Sequence, residues 1–217
     1  MKLGVLGTGM VGTAIATKLV ALGHEVLLGS RDAANEKAAG WAAEAGKGAS
    51  HGTFGDAAHF GEILVNATAG GASIAALSSA APADLAGKVL IDVANALDHS
   101  HGFPPALSVV NTDSLAEQIQ RTFPDLKVVK TLNTVSADIM VDPSLVPGSH
   151  NVFVSGNDGE AKGQVVDLLA SFGWPREDVI DLGDITTARG PEMYLGLWLR
   201  TWGALGVRHF NVKVVKA

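Results

Sequence analysis

Short apolar runs alternate with amphipathic stretches along most of the chain. The runs that predict strands are residues 1–6, 24–28, 49–54, 62–68, 88–93, 127–132, 151–156 and 178–182. The stretches between them with helical spacing of apolar residues are 11–22, 33–47, 55–61, 72–80, 114–123 and 158–172. Strands that alternate with helices are typical of a parallel sheet covered on both faces. The pattern therefore predicts an α/β fold with a doubly wound parallel sheet.

The C-terminal stretch differs from this pattern. Gly190-Pro191 opens a predicted helix, with proline in its first turn. The residues predicted to share one face are Tyr194, Leu197, Trp198, Trp202 and Leu205, and Met193, Leu195 and Leu199 lie off that face. A helix that is apolar nearly all round is buried on more than one side, here by its own core or by a partner subunit. Residues 209–215 are a candidate edge strand. We expect two parts, 1–155 and a smaller C-terminal part, 156–217.

A glycine-rich turn follows the first strand. The sequence Gly7-Thr8-Gly9-Met10-Val11-Gly12 has the spacing G-x-G-x-x-G, and a helical stripe follows it. In a dinucleotide-binding turn, the first glycine permits the sharp bend and the second lets the backbone approach a pyrophosphate. The third lets the helix pack close to the strand. The positive end of the helix then faces the phosphates. This context predicts a Rossmann-type nucleotide site.

The end of the second strand distinguishes NADP from NAD. An Asp or Glu that binds the ribose 2′-hydroxyl is expected about 20 residues beyond the glycines, but the chain has Gly29-Ser30-Arg31 there. Ser30 offers a hydrogen bond, Arg31 a permanently charged fork for a 2′-phosphate, and Lys37 further charge. NADP(H) is therefore favoured, although Asp32 is the acidic residue if the register slips by two.

Small polar residues end three later strands. Thr68-Ala69-Gly70, Ala94-Asn95 and Asn133-Thr134 each follow an apolar run. Because the carboxyl ends of parallel strands meet at one edge of a sheet, we expect these residues to border a ligand there. Ordinary turn chemistry is the alternative at each single position.

Composition narrows the function classes. The net charge is −6, without a basic run, which argues against nucleic acid or an anionic membrane as partner. There is no cysteine, so disulfides and thiolate catalysis are excluded. No stretch approaches the ~18 apolar residues of a membrane span, and we find no signal-peptide pattern. We expect a cytoplasmic protein.

These residues together resemble the F420-dependent NADP reductase family. The motifs that carry the resemblance are Gly7–Gly12, Gly29–Arg31, Asn66–Thr68, Asp92–Asn95, Lys130–Thr134, Val154–Asp158 and Asp181–Gly183 with Ala188, Arg189 and Glu192. The resemblance implies a Rossmann domain with a small C-terminal part, a homodimer, and hydride transfer between NADPH and coenzyme F420 or a similar flavin. It places Thr8–Val11 at the pyrophosphate and Ser30 with Arg31 at the 2′-phosphate. Thr68, Ala69, Asn95 and Asn133 would border the nicotinamide and the acceptor.

Hydride transfer between two stacked cofactors requires orientation and exclusion of water more than a side-chain acid or base. The chain has no Tyr-x-x-x-Lys pair, and its histidines lack metal-ligand spacing. We therefore predict no catalytic side chain and no metal. Two alternatives stay open: an NADP(H)-dependent reductase of an imine or carbonyl, and a non-catalytic NADP(H)-binding sensor.

Overall fold

The structure is a computed structural model that describes residues 1–217. The strands are β1 (Lys2–Leu6), β2 (Glu25–Ser30), β3 (Ala49–Thr53), β4 (Ile63–Asn66), β5 (Val89–Asp92), β6 (Leu97–Asp98), β7 (Ala106–Leu107), β8 (Lys127–Thr131), β9 (Val152–Gly156) and β10 (Val179–Gly183). The α-helices are α1 (Met10–Ala21), α2 (Glu36–Ala45), α3 (Phe54–Phe60), α4 (Ser73–Leu77), α5 (Leu115–Thr122), α6 (Ala137–Val141), α7 (Gly159–Phe172) and α8 (Arg189–Leu205). No helix combines the length and apolarity needed to cross a lipid bilayer.

Eight strands form one sheet in the order β3-β2-β1-β4-β5-β8-β9-β10. The first six are mutually parallel. Buried side chains of α1, α2, α6 and α7 cover one face of the sheet, and those of α3, α4 and α5 cover the other. The predicted doubly wound α/β fold is therefore confirmed, and the carboxyl ends of β1, β4, β5 and β8 meet at one edge.

The expectation of a parallel sheet throughout is wrong at one edge. β9 runs antiparallel to β8, and β10 runs parallel to β9. A parallel connection needs a crossover segment, usually a helix that spans the sheet. The connection after β8 contains only α6 and a 3-10 turn at Pro143–Leu145. α6 is about 7.5 Å long, so β9 starts near the edge where β8 ends.

The C-terminal part also differs from the prediction. On α8, Leu195, Trp198 and Leu199 are buried against the small hairpin of β6 and β7, whereas Leu197 is 61% exposed and Leu205 56% exposed. The helix is thus buried along one stripe within the chain. Residues 209–215 form no strand. The predicted boundary near residue 155 lies within β9, and a division of the chain there stays a proposal.

Two helices show how local sequence sets their ends. The Asp158 carboxylate accepts a hydrogen bond from the Ala161 N–H at 2.8 Å, and Gly173 closes the other end of α7 in a left-handed conformation. At α3, Thr53 and Asp56 form a reciprocal capping box. These side chains satisfy backbone groups that a helix leaves unpaired at its ends.

A buried lysine joins the strand ends to the C-terminal helix. The Lys130 Nζ of β8 donates to Asp92 Oδ2 of β5 at 2.9 Å and lies 3.0 Å from Glu192 Oε1 of α8. It also donates to the Ala94 carbonyl. The side chains of Lys130 and Asp92 are fully buried. Burial lowers the pKa of Lys130, but the attraction of Asp92 and Glu192 outweighs it and holds the pKa above its usual value.

The two carboxylates make further bonds that extend this cluster. Asp92 Oδ1 accepts from Asn66 Nδ2 at 2.8 Å, which adds the end of β4. Glu192 accepts from the backbone N–H groups of Leu115 and Ala116 at 2.8 and 3.1 Å, which adds the start of α5. The cluster therefore fixes the edge of the sheet where the polar residues lie.

We expect Lys130→Met to lower the free energy of unfolding by about 3–5 kcal/mol, because it leaves two buried carboxylates without their cation. Lys127→Met is the matched control on the same strand. Lys127 pairs with Asp158 at 2.9 Å, but both side chains are about one-third exposed, so its loss should cost less than about 1 kcal/mol. Urea unfolding followed by tryptophan fluorescence measures both. Equal losses in the free energy of unfolding would show that the buried cluster stabilises the protein no more than an exposed ion pair does.

Candidate functional site

The glycine turn after β1 is shaped by two close backbone contacts. Gly7 has a φ of +121°, and a Cβ there would lie 2.4 Å from the Ala67 carbonyl oxygen. A Cβ on Gly12 would lie 1.9 Å from the Gly7 carbonyl oxygen. Neither position can hold a side chain without moving the backbone, so the protein's own packing requires both glycines.

Gly9 is different, because no protein atom lies within 4 Å of the position where its Cβ would be. Its φ is −81°, which any residue can adopt. Gly9 precedes α1 without a capping side chain, and the N–H groups of Met10, Val11 and Gly12 have no acceptor within the protein. The first turn of α1 has no acidic residue. The turn thus presents open space and unpaired donors, which suit an anion.

One cavity of about 380 Å³ lies beside this turn. The sequence-predicted residues that line it are Met10, Val11, Thr68, Ala69, Asn95 and Asn133. They come from the start of α1 and from the ends of β4, β5 and β8. The structure thus brings together the polar strand ends that the sequence pattern singled out.

The amide side chains at the strand ends are held in place by one another. Asn133 Nδ2 donates to Asn95 Oδ1 and to the Pro191 carbonyl, both at 2.9 Å. Asn95 Nδ2 donates to the Asn133 carbonyl at 3.0 Å. The Thr68 hydroxyl donates to Asn66 Oδ1 at 2.7 Å. These bonds fix the cavity wall and connect it to the start of α8.

The sequence prediction missed the opposite wall of the cavity. Leu195, Trp198 and Trp202 of α8 line it and are called the tryptophan wall below, although the aromatic residues were expected in the core or at a dimer contact. The Trp198 and Trp202 ring centres are 5.7 Å apart. The four-residue spacing of the two tryptophans predicts that they share a helix face, but only the tertiary fold shows what that face meets.

Two buried polar groups in the cavity wall have no partner. Trp198 Nε1 and Ser136 Oγ make no hydrogen bond within the protein, and both residues are more than nine-tenths buried. Both atoms are buried in the structure, and an unpaired buried donor or hydroxyl costs about 1–3 kcal/mol.

The residues predicted at the 2′-phosphate lie outside this cavity. Arg31 is exposed, makes no ion pair, and lines a separate depression of about 460 Å³ with Thr53, Phe54 and Ser79. Ser30 is buried, and its hydroxyl donates to the Asp32 carbonyl. Asp32, the alternative ribose ligand, accepts from the Ala34 N–H at 3.0 Å in a local turn.

Lys37 does not share the depression of Arg31. It lines a larger groove between α1 and α2, together with Met10, Thr13 and Glu36. Any effect of Lys37 on a phosphate beside Arg31 would therefore act through charge at a distance.

Comparison with known proteins agrees with this geometry. The sequence pattern of the family described as "NADP oxidoreductase coenzyme F420-dependent" matches residues 2–96. A crystal structure from Arthrobacter sp. FB24, assigned as an F420-dependent NADP reductase, is 54% identical over the full length of both chains, with a TM-score of 0.93.

The chain belongs to the F420-dependent NADP oxidoreductase family. It is therefore an NADP-dependent oxidoreductase. The family match covers the glycine turn, Arg31, Thr68 and Asn95 but not the tryptophan wall, which lies beyond residue 96.

Two more distant similarities are also found, one in sequence and one in fold. Metalloreductase STEAP3 of Rattus norvegicus is 28% identical over 93% of this chain, which spans only 38% of the length of that protein. A reductive aminase from Aspergillus terreus in complex with NADPH and ethyl levulinate is 22% identical, with a TM-score of 0.65. That similarity covers 94% of this chain and 62% of the aminase, and it shows the fold alone.

In this family member, Gly12→Ala should lower the free energy of unfolding by about 1–3 kcal/mol, because the new methyl group collides with the Gly7 carbonyl. Gly9→Ala is the matched variant. Its methyl group enters open space, so we expect a loss below about 1 kcal/mol. Chemical unfolding curves of both variants check this contrast. A large loss for Gly9→Ala would mean that the protein itself, and not a ligand, needs glycine there.

Proposed function

We propose that the chain transfers hydride between NADPH and a flat deazaflavin or flavin, with coenzyme F420 as the first candidate. One observation carries the proposal: a single cavity joins the start of α1, the ends of three parallel strands and two tryptophans of α8. Family membership and the assignment of the Arthrobacter protein support the choice of acceptor.

The glycine turn fits the pyrophosphate of NADP(H). Thr8, Gly9, Met10 and Val11 would surround it, with Gly9 leaving room and the unpaired N–H groups of α1 donating. Gly7 and Gly12 would act by shaping the turn. The fit rests on the open space at Gly9 and on the N–H groups at the start of α1, which have no acceptor within the protein.

Arg31 fits the 2′-phosphate of NADP(H). Its guanidinium has no carboxylate partner, and Phe54 in the same depression offers an apolar surface to the adenine. Ser30 would contribute by turning its hydroxyl from the Asp32 carbonyl, and Lys37 would add positive charge from the neighbouring groove.

The acceptor end of the cavity is mostly apolar and aromatic. Trp198 and Trp202 would cover a flat ring system and exclude water, while Trp198 Nε1 would donate to a carbonyl on its rim. When both cofactors are bound, the nicotinamide supplies the hydride and the acceptor ring receives it. The protein's part is then to hold the two rings together, which Thr68, Ala69, Asn95 and Asn133 would do from the sheet edge.

An imine or carbonyl acceptor is the second candidate. Its reduction needs a proton donor as well as a hydride. Asp138 is the one carboxyl group that lines the cavity, and its Oδ2 lies 3.1 Å from His209 Nε2. This pair is the donor that such a reaction would use.

We also propose a homodimer. Leu197 and Leu205 expose apolar surface on the side of α8 that faces away from the chain's own core, and a partner subunit would cover it.

Arg31→Ala should weaken NADPH binding by about 1–3 kcal/mol, because a charged hydrogen-bonded contact to the 2′-phosphate is lost. NADH lacks that phosphate, so its affinity should stay within about twofold. Calorimetric dissociation constants for both nucleotides check this. Lys37→Ala is the control and should have a smaller effect. If Arg31→Ala weakens NADPH and NADH equally, the 2′-phosphate lies elsewhere.

Oxidation of NADPH should be faster with F420, the first candidate acceptor, than with free flavin mononucleotide, because the family match and the Arthrobacter protein both point to F420. Absorbance of NADPH and of F420 follows the reaction. Tight NADPH binding without turnover on either acceptor would contradict the proposal and favour another substrate or a sensing role. Absence of NADPH binding would contradict the nucleotide site itself.

A further inference from the structure

The segment after α8 returns the chain to the glycine turn. Gly206 ends α8 in a left-handed conformation, and Arg208 follows two residues later. Arg208 Nη1 lies 3.8 Å from Met10 Sδ, and both residues line the cavity beside the glycine turn. A side chain near one end of the chain thus reaches the start of α1 near the other.

This segment is held in place on the far side of Arg208. The backbone N–H of Asn151 donates to the Val212 carbonyl at 2.9 Å, and Asn211 Nδ2 donates to the Asn151 carbonyl at 2.8 Å. The Phe210 ring stacks on Trp198, with ring centres 5.4 Å apart. These contacts fix the backbone on which Arg208 sits, so its approach to α1 is part of the fold.

The guanidinium of Arg208 has no carboxylate partner. Its neighbour His209 is hydrogen-bonded to Asp138, the one carboxyl group in the cavity wall. The only side-chain hydrogen bond of Arg208 is to the thioether of Met10. An arginine carries a permanent charge and donors whose geometry matches phosphate oxygens.

Two independent features at the same place point to an anion. The N–H groups at the start of α1 have no acceptor, and the Ser136 hydroxyl is buried in the cavity wall without a partner. The helix dipole adds positive potential at this point. The site therefore gathers a guanidinium, backbone donors and a hydroxyl that the protein leaves unused.

We propose that Arg208 is a second phosphate-binding residue of the dinucleotide site, donating to the pyrophosphate held at the start of α1. This inference rests on the proposed function. Arg31 would bind the 2′-phosphate, which only NADP(H) carries. Arg208 would bind the pyrophosphate, which NADPH and NADH share. The two arginines therefore differ in a measurable way.

Dissociation constants of NADPH and NADH for Arg208→Ala test this. We expect both to rise about 10- to 100-fold, the range for loss of a charged hydrogen bond, and Arg208→Lys to recover part of the affinity. Arg200→Ala, an exposed arginine of α8 outside the cavity, is the matched control and should change neither constant. Circular dichroism and the melting temperature check that each variant is folded.

Unchanged affinity of folded Arg208→Ala for both nucleotides overturns the inference. A rise only in the KM for F420 also overturns it, because the phosphate at Arg208 would then belong to the acceptor. Loss of NADPH affinity alone would place the 2′-phosphate there instead. If the unmodified protein binds neither nucleotide, the proposed function itself fails, and that result is distinct from any outcome for Arg208.

Discussion

The structure depends on the charge of Lys130 being matched inside the protein. This lysine lies between Asp92 and Glu192, and through them it touches β4, β5, α5 and α8. Charges buried this deeply are tolerated only when their partners are in place. The distance between the sheet edge and the C-terminal helix is therefore set by an ion cluster that has little freedom to adjust. The cavity lies in that gap, so its width follows from the same constraint.

Most of the fold follows from local sequence, and so do the glycine turn and the polar strand ends of the site. Gly12 could be predicted because it packs on the Gly7 carbonyl within one strand, turn and helix, and Gly7 because the sharp turn needs its positive φ. Thr68, Asn95 and Asn133 could be predicted because parallel strands end at a common edge. Local sequence could not predict the antiparallel direction of β9 or the short helix α6. Five residues are too few to show a helical period, and strand direction depends on the path of the connection.

The tryptophan wall and Arg208 were missed for a different reason. Periodicity shows which residues of a helix share a face, but it does not show what that face packs against. Trp198 meets the cavity because Glu192, six residues earlier on α8, is fixed by Lys130. Arg208 meets Met10 because Asn151 holds the segment beyond it. Both placements depend on residues far away along the chain.

The contact between Arg208 and Met10 also bears on how the molecule is made. It joins residues 198 positions apart, and contacts of such high sequence separation form slowly because a long loop must close first. During synthesis the glycine turn leaves the ribosome early, whereas Asn133, Trp198 and Arg208 follow much later. The nucleotide turn and Ala67, on which Gly7 packs, thus leave the ribosome before the residues of the opposite cavity wall. The complete pocket is among the last parts of the protein to assemble.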